Sequence, residues 1–438
     1  MRFGTDGVRG VANTELTAAF ALRLGRAAAR VLAAPTAVVG GDSRLSTPML
    51  EAAFVAGLAA EGVTVYRLGV TPTPAVAFEA ARTGAMGAVI SASHNPYYDN
   101  GIKLFAPGGT KLADEIERLI EDELTVVGDQ PSGVAEPGQI HSRTSSSAYV
   151  DHLLGVLAGR SLAGLRVVVD AANGAASHVA ASVFERAGAG VVAINVAPDG
   201  RNINAGCGAT APAGLQVLVP AERAHAGLAL DGDADRLIAV DETGAVVDGD
   251  HILAICAADL QARGLLADAT VVVTPYTNLG FHLAMQERGV KVVEAGVGDR
   301  YILEALAAGG YSLGGEQSGH VIFPAHATTG DGLLTGLVLL DVLQRSGKQL
   351  SQLAREAMTQ LPQVLVNVKV PSGSAADAAL AIEGDVAAAA SALGATGRVL
   401  VRPSGTEPLV RVMVEAPTAA EAQSVADHLA AAVRARVS

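Results

Sequence analysis

Tryptophan is absent from this chain of 438 residues, and aromatic residues make up only 3% of it. Half the residues are hydrophobic all the same, and much of that half is alanine. Such a composition implies helices packed closely through small side chains. Cysteine is nearly absent too. Cys207 and Cys256 alone exclude a disulfide framework and fit a reducing compartment. Positive charge is scarce: 31 Lys and Arg stand against 44 Asp and Glu, a formal charge of −13. No broad basic face is available, which excludes nucleic acid as a general partner. A few cations gathered in a cleft still bind a small anion. The opening "MRFGTDGVRG" has no signal-peptide core, and no apolar run is long enough to span a membrane. The expectation is a cytoplasmic protein with no membrane partner. Its length calls for roughly two to four domains.

Short Val-rich runs alternate with longer Ala/Leu stretches, the mark of β-α units around a buried, mostly parallel sheet. The runs recur three times in the same order. "AVVGGDSR", "VTVYRLG" and "GAVISASHNP" form the first set, and "LRVVVDAANG", "GVVAINV" and "GLALDGDADR" the second. "TVVVTPYTNLG", "VKVVEAG" and "YSLGGEQSGH" form the third. The first two runs of each set lie roughly 20–25 residues apart, room for one helix and its loops. The fold class expected is α/β: three topologically similar α/β domains over residues 1–155, 156–252 and 253–362, then an α+β domain over 363–438. In the last, "QVLVNVKV" reads as a strand, 375–393 as a helix, "GRVLVRPSGTEPLVRVMVEA" as a hairpin and 419–437 as a closing helix. The Gly/Pro/Ser-rich segment 126–147 reads as a loop, and "LADEIERLIEDEL" as an acidic helix with a solvated face.

In each set the third run ends in the loop with the most unusual chemistry, and ligands in open α/β sheets sit beyond strand carboxyl ends. "DGDADR" places Asp231, Asp233 and Asp235 at alternate positions. Three neighbouring carboxylates repel unless a cation intervenes. A fully extended chain would hold the outer two about 13 Å apart. Mg²⁺ takes oxygens at about 2.1 Å, so the loop must curl, and Gly232 and Ala234 permit it. Arg236 adds a cation. Its presence where a Ca²⁺-binding helix-loop-helix needs glycine argues against that alternative, as does the strand-like "AGLAL" before it.

"ISASHNPYYDNGIKLF" crowds Ser93, His94 and Lys103 into one loop. A serine hydrolase is one reading, but adjacent strand residues face opposite ways and no G-x-S-x-G elbow surrounds Ser93. A phosphoryl group carried on Ser93 beside a metal fits the Asp cluster better. Lys103 is a base candidate if neighbouring cations depress its pKa. In "GGEQSGH", Glu316 and Ser318 suit sugar hydroxyls and His320 a proton transfer. In "RPSGTEPLVR", Ser404, Gly405 and Thr406 form an anion nest flanked by Arg402 and Arg411. Arg9 in "GTDGVRG" is a weaker anion ligand, and Asp299-Arg300 reads as a salt bridge.

Taken together, "SASHNP", "DGDADR", "GEQSGH" and "RPSGTEP" stand in the order found in the α-D-phosphohexomutase superfamily, and the resemblance covers essentially the whole chain. "FGTDGVRG", Gln317 within the third motif and "NINAGCGAT" are similar to the branch acting on glucosamine phosphates. Ala211 departs from the Thr-His that usually continues the last of these. The alternative is a phosphomannomutase/phosphoglucomutase with the same chemistry. The resemblance implies four domains around a central cleft, one Mg²⁺ held by Ser93, Asp231, Asp233 and Asp235, and interconversion of glucosamine 6-phosphate and glucosamine 1-phosphate. The route runs through phosphorylated Ser93 and glucosamine 1,6-bisphosphate, toward UDP-N-acetylglucosamine for the cell wall. His94, Lys103, Arg236 and His320 are then the catalytic groups; Arg9, Glu316, Ser318, Arg402, Ser404, Gly405, Thr406 and Arg411 hold the substrate. A homodimer and a closing fourth domain are also implied.

Overall fold

The computed structural model describes residues 2–4, 6–128, 132–143, 146–371, 373–404 and 408–437. The chain forms two compact units, one of Met1–Tyr276 with Val290–Ala357, the other of Thr277–Gly289 with Met358–Ser438.

The larger unit holds three sheets. The first contains β1 (Val8–Val11), β2 (Thr36–Gly41), β3 (Thr64–Val70), β4 (Met86–Ile90), β5 (Asp99–Phe105) and β6 (Ile140–Ser142), in the order β1-β5-β4-β2-β3-β6. The second contains β7 (Arg166–Asp170), β8 (Gly190–Ile194), β9 (Ala226–Leu230), β10 (Leu237–Asp241) and β11 (Val246–Val247), in the order β11-β10-β9-β7-β8. The third contains β12 (Thr270–Val273), β13 (Lys291–Glu294), β14 (Gly314–Gly315) and β15 (Val321–Ile322), in the order β13-β12-β14-β15. The same wiring recurs. A first strand lies between two parallel partners, β3 and β4 on β2, β8 and β9 on β7, β13 and β14 on β12. The third strand of each set then turns antiparallel into β5, β10 or β15. The threefold repeat seen in the sequence is therefore a repeat of topology, and it leaves the three unusual loops at equivalent strand ends.

Alternation along β2 explains why both faces of the first sheet are covered. Ala37 and Val39 join one apolar cluster, and Val38 joins the cluster on the other side. On the first face, the helices Ala18–Leu32 and Thr47–Ala60 cross through glycine. A Cβ on Gly25 would stand 2.3 Å from the Phe54 carbonyl oxygen, and one on Gly57 would stand 2.1 Å from that of Leu22. Backbone meets backbone here, the close helix packing that the alanine-rich, tryptophan-free composition implies.

The smaller unit is an antiparallel sheet of β16 (Gln363–Lys369), β17 (Arg398–Pro403) and β18 (Leu409–Glu415), ordered β16-β18-β17, with the helix Ala419–Val437 against it. The architecture is three similar α/β domains followed by an α+β domain.

Four local expectations differ from the structure. The segment 126–147 is not all loop, because Ile140–Ser142 pairs parallel with β3 and completes an otherwise open sheet edge. The helix expected over 375–393 is two, Ala375–Leu380 and Glu383–Leu393, with a turn between them that buries Ile382 fully. The acidic helix, Asp114–Val126, is more than a solvated face: Asp114 and Glu117 pair with Arg300, Glu123 pairs with Arg30, and Glu121 accepts from the Phe3 N–H. The division expected at 252/253 falls inside the helix Gly249–Ala262, whose N-cap is Asp248.

Candidate active site

The chain leaves β4 through Ser91 and Ala92 and reaches Ser93 with φ at 51°, a left-handed conformation rare for a residue with a side chain. This bend breaks the strand alternation that would have separated Ser93 from His94. Ser93 Oγ lies 3.3 Å from His94 Nδ1 and donates to Asp231 Oδ2 at 2.5 Å. Asp231 follows the last residue of β9, so the first and second repeats meet at this bond.

The Asp231–Arg236 loop joins two antiparallel strands, not two helices, and Glu242 is engaged by Ser351 instead of a cation. Ala234 takes φ of 60°, which curls the loop. One oxygen each from Asp231, Asp233 and Asp235 then lies within 4.8 Å of the others, and all three residues are buried. Asp233 Oδ1 and Asp235 Oδ1 are buried with no hydrogen-bond partner. Buried carboxylate oxygens without hydrogen-bond partners in such a cluster fit a hard divalent cation that prefers oxygen ligands, as Mg²⁺ does. Burial, then the charges of Asp235 and Asp233, push the Asp231 carboxyl well above the usual range. Burial acts on Asp235 in the same sense, but Lys103, His320 and Arg236 outweigh it and lower its pKa.

Lys103 stands on β5 opposite Val89 of β4. Its Nζ lies 2.7 Å from Asp6 Oδ2, 2.8 Å from Asp233 Oδ2 and 3.3 Å from Asp235 Oδ2. The expectation that cations depress its pKa is reversed. Burial would lower it, but Asp233, Asp6 and Asp235 surround the ammonium and raise it well above the ordinary lysine value. Asp6 gave no signal in the sequence, yet it also receives Lys111 at 2.7 Å and Arg9 at 2.5 Å. Lys111 continues to Asp299, so Asp299 pairs with Lys111 and Arg300 with Asp114 and Glu117, not with each other. Thr73, also unforeseen, donates to Asp233 at 2.7 Å.

The turn between β14 and β15 brings Glu316, Ser318 and His320 to the same place. Ser318 Oγ donates weakly to Glu316 at 3.4 Å. His320 Nδ1 is 3.8 Å from Asp235, and Gly330 N–H donates to its Nε2 at 3.1 Å. In the neutral ring the proton therefore sits on Nδ1, facing Asp235. Burial lowers the His320 pKa, but the Asp235 hydrogen bond and charge outweigh it and raise it. His94 behaves oppositely: burial, then Arg236 and Arg9, lower it to about 4, so it is neutral near pH 7.

These loops enclose a cleft of about 420 Å³ lined by Arg9, His94, Arg236, Glu316 and His320 among others. Ser93, next to the lining residue His94, is fully buried. Arg9 pairs with Asp6 through Nη2, and Arg236 Nε stands 3.7 Å from Asp235 Oδ1, so the two guanidinium groups bring positive charge to the cleft wall beside the carboxylates. In the smaller unit, Arg402 and Arg411 stand directly opposite across β17 and β18, and Ser404 N–H donates to the Leu409 carbonyl to close the hairpin. Gly405 and Thr406 lie outside the described residues.

Family models for phosphoglucomutase/phosphomannomutase match the chain in sequence order. The α/β/α domain I matches residues 1–129, domain II 147–244, domain III 248–361 and the C-terminal domain 365–432. The chain belongs to the phosphoglucomutase/phosphomannomutase family. A protein of Rhodococcus opacus named phosphoglucosamine mutase is 54% identical over 441 residues, covering 98% of each chain. One of Frankia alni with the same name is 55% identical over 448 residues, covering 99% of this chain and 98% of that one. Among solved structures, a phosphoglucomutase/phosphomannomutase family protein of Burkholderia thailandensis superposes with a TM-score of 0.82 at 27% identity, covering 98% of this chain and 97% of that one. Membership makes the chain an enzyme of this family. No helix among the described residues is long and apolar enough to cross a membrane.

Proposed function

We propose that this enzyme interconverts glucosamine 6-phosphate and glucosamine 1-phosphate through a phosphorylated Ser93 and a glucosamine 1,6-bisphosphate intermediate. The observation that carries the chemistry is Ser93 Oγ held 2.5 Å from Asp231 at the edge of a buried three-carboxylate cluster. The amino sugar rests on the relatives above half identity that are named phosphoglucosamine mutase.

Asp231, Asp233 and Asp235, joined by the Ser93 phosphate, would hold Mg²⁺. What a bound Mg²⁺ supplies is neutralisation of charge on the transferring phosphoryl group. Arg9 and Arg236 take the phosphate oxygens that face the cleft, and Glu316 and Ser318 hold sugar hydroxyls. His94 and His320, which line the cleft, exchange protons with substrate hydroxyls, and Lys103, its ammonium paired with Asp6, Asp233 and Asp235, neutralises those carboxylates. Arg402, Ser404, Gly405, Thr406 and Arg411 supply the anion site for the phosphate that is not reacting. Ser93 gives its phosphoryl group to the free hydroxyl end of the sugar phosphate, and after the bisphosphate turns over in the cleft Ser93 takes the other phosphoryl group from its opposite end, so the enzyme returns to its phosphorylated starting state. Burial of Ser93 keeps water from the phosphoserine. The product would feed UDP-N-acetylglucosamine synthesis in the cytoplasm, where two buried free cysteines stay reduced.

Intact-mass analysis after incubation with glucosamine 1,6-bisphosphate and Mg²⁺ tests this. The wild type gains one phosphoryl group, Ser93→Ala gains none, and glucosamine phosphates turn over faster than glucose or mannose phosphates. An unmodified wild type that still exchanges the isomers would sink the Ser93 role. Preference for mannose or glucose phosphates would assign the alternative substrate.

A further inference from the structure

The left-handed backbone at Ser93 has to be held, and one buried side chain does most of the holding. Arg44 has a fully buried side chain. It uses all five of its N–H donors. Nε donates to Asp42 Oδ2 at 2.8 Å. Nη1 donates to the carbonyls of Asn95 at 2.9 Å and Pro96 at 2.6 Å. Nη2 donates to those of Ser93 at 2.8 Å and Asn95 at 2.9 Å. Three carbonyls of one loop thus converge on a single planar fork.

Asp42 closes a second arm. Its Oδ2 accepts from Ser91 Oγ at 2.5 Å, and Ser91 Oγ accepts from the Ser93 N–H at 2.9 Å. Its Oδ1 accepts from Thr47 Oγ1 and from the Arg44 N–H, both at 3.0 Å. Both backbone polar groups of Ser93 are therefore tied to Asp42, the carbonyl through Arg44 and the N–H through Ser91. With φ fixed in this way, little freedom remains at Ser93 except rotation of its Oγ, which Asp231 receives.

We propose that Arg44, anchored by Asp42, is a positioning residue for phosphoryl transfer: it fixes the direction of Ser93 Oγ so that both half-reactions start from one geometry. The inference rests on the reading of Ser93 as phosphoryl carrier. Arg44 touches neither the cleft nor the Asp cluster, so its effect passes through the loop backbone. A lysine keeps the charge beside Asp42 but has three donors on one atom and cannot span three carbonyls. Misplacement of reacting groups by about 1 Å costs on the order of 100-fold in rate.

The test is Arg44→Lys beside wild type and Ser93→Ala, read by intact mass after treatment with glucosamine 1,6-bisphosphate and Mg²⁺, by steady-state kinetics and by thermal melting. The expected result is a folded variant whose kcat falls on the order of 100-fold while KM stays within about threefold and Ser93 is phosphorylated more slowly than in wild type. Ser91→Ala cuts the other arm but leaves the buried Asp42–Arg44 ion pair in place, and its kcat should fall on the order of tenfold at unchanged KM; it decides the matter if Arg44→Lys does not fold. A wild type that takes no phosphoryl group overturns the Ser93 reading and this inference together. A phosphorylated wild type with kcat retained in folded Arg44→Lys, or in Ser91→Ala, overturns the positioning role alone. A kcat loss no larger than the fraction unfolded does the same.

Discussion

Arg402 and Arg411 face each other across the antiparallel pair of β17 and β18, two guanidinium groups at directly opposed positions. Two forked cations at directly opposed positions of one hairpin are suited to a phosphate ligand. Inorganic phosphate should therefore raise the melting temperature of the wild type more than equal ionic strength of chloride does. Arg411→Gln should lose that gain and raise KM for glucosamine 6-phosphate about tenfold or more, as expected for removing a charged hydrogen bond of about 1.5–3 kcal/mol. Equal stabilisation of wild type and variant would remove the pair from phosphate binding.

The Asp231–Asp233–Asp235 cluster makes an opposite prediction for a cation. With Asp233 and Asp235 pressing on buried Asp231, the metal-free protein carries repulsion there that the pairing of Lys103 with Asp233 and Asp235 offsets only in part. Mg²⁺ should raise the melting temperature in proportion to the logarithm of its concentration above Kd. Asp231→Asn removes one negative charge while its side chain can still accept from the Arg236 N–H and meet Ser93 Oγ. It should melt higher than metal-free wild type, gain little from Mg²⁺ and have no turnover. Calorimetric melts with EDTA and with Mg²⁺ separate these effects; a variant that melts lower in EDTA would show that repulsion is not stored there.

Much of this is legible in the amino-acid sequence alone. The three β-α sets carry a strand period and a spacing that survive in any sequence with buried parallel strands, and the loops at their ends are polar islands in an apolar chain. What could not be read was long-range. Asp6 looks like an ordinary turn residue, and only folding places it between Lys103, Lys111 and Arg9. The pKa direction at Lys103 failed for the same reason, since its neighbours come from residues far away in sequence. Arg44 ends the run "AVVGGDSR", but one arginine after a strand has no signature that distinguishes five internal hydrogen bonds from a solvated charge. Ile140–Ser142 is too short for a period to show, and its pairing is set by the open edge of β3.

Asp331 supplies a pH dependence away from the metal cluster. It caps the helix Gly332–Ser346 by accepting from the Leu334 N–H, and it accepts from Tyr149 at 2.8 Å. Burial pushes its pKa up to about 6, with those hydrogen bonds working against the rise. A carboxyl whose folded pKa lies above its unfolded value stabilises the fold below the unfolded pKa, and that stability is lost as pH rises toward and through the folded one. The window is thus about pH 4 to 6, and roughly two pH units at 1.36 kcal/mol each give about 3 kcal/mol. Asp331→Asn keeps a capping oxygen and should flatten this part of the stability curve. Urea unfolding of both proteins from pH 4 to 7 checks it; parallel curves would place the titration elsewhere.

Gly232 shows how tightly the two loops that carry the chemistry are fitted together. A Cβ there would stand 2.4 Å from the Ser93 carbonyl oxygen and 2.7 Å from Asn204 Nδ2. Asn204 itself donates to the Ser93 carbonyl at 2.9 Å and to that of Asn95 at 3.2 Å. Alanine at 232 must therefore displace the backbone of Ser93 or open the turn of the Asp cluster, because a carbonyl oxygen cannot give way as a flexible side chain can. Overpacking of this kind costs about 1–3 kcal/mol, a modest loss for a chain of this size. Its effect on turnover should be far larger, since it shifts Ser93 Oγ against Asp231. Gly232→Ala should remain folded, lose kcat by on the order of 100-fold and bind Mg²⁺ more weakly. Full activity in that variant would mean that the 2.5 Å contact between Ser93 and Asp231 is not a requirement of the reaction.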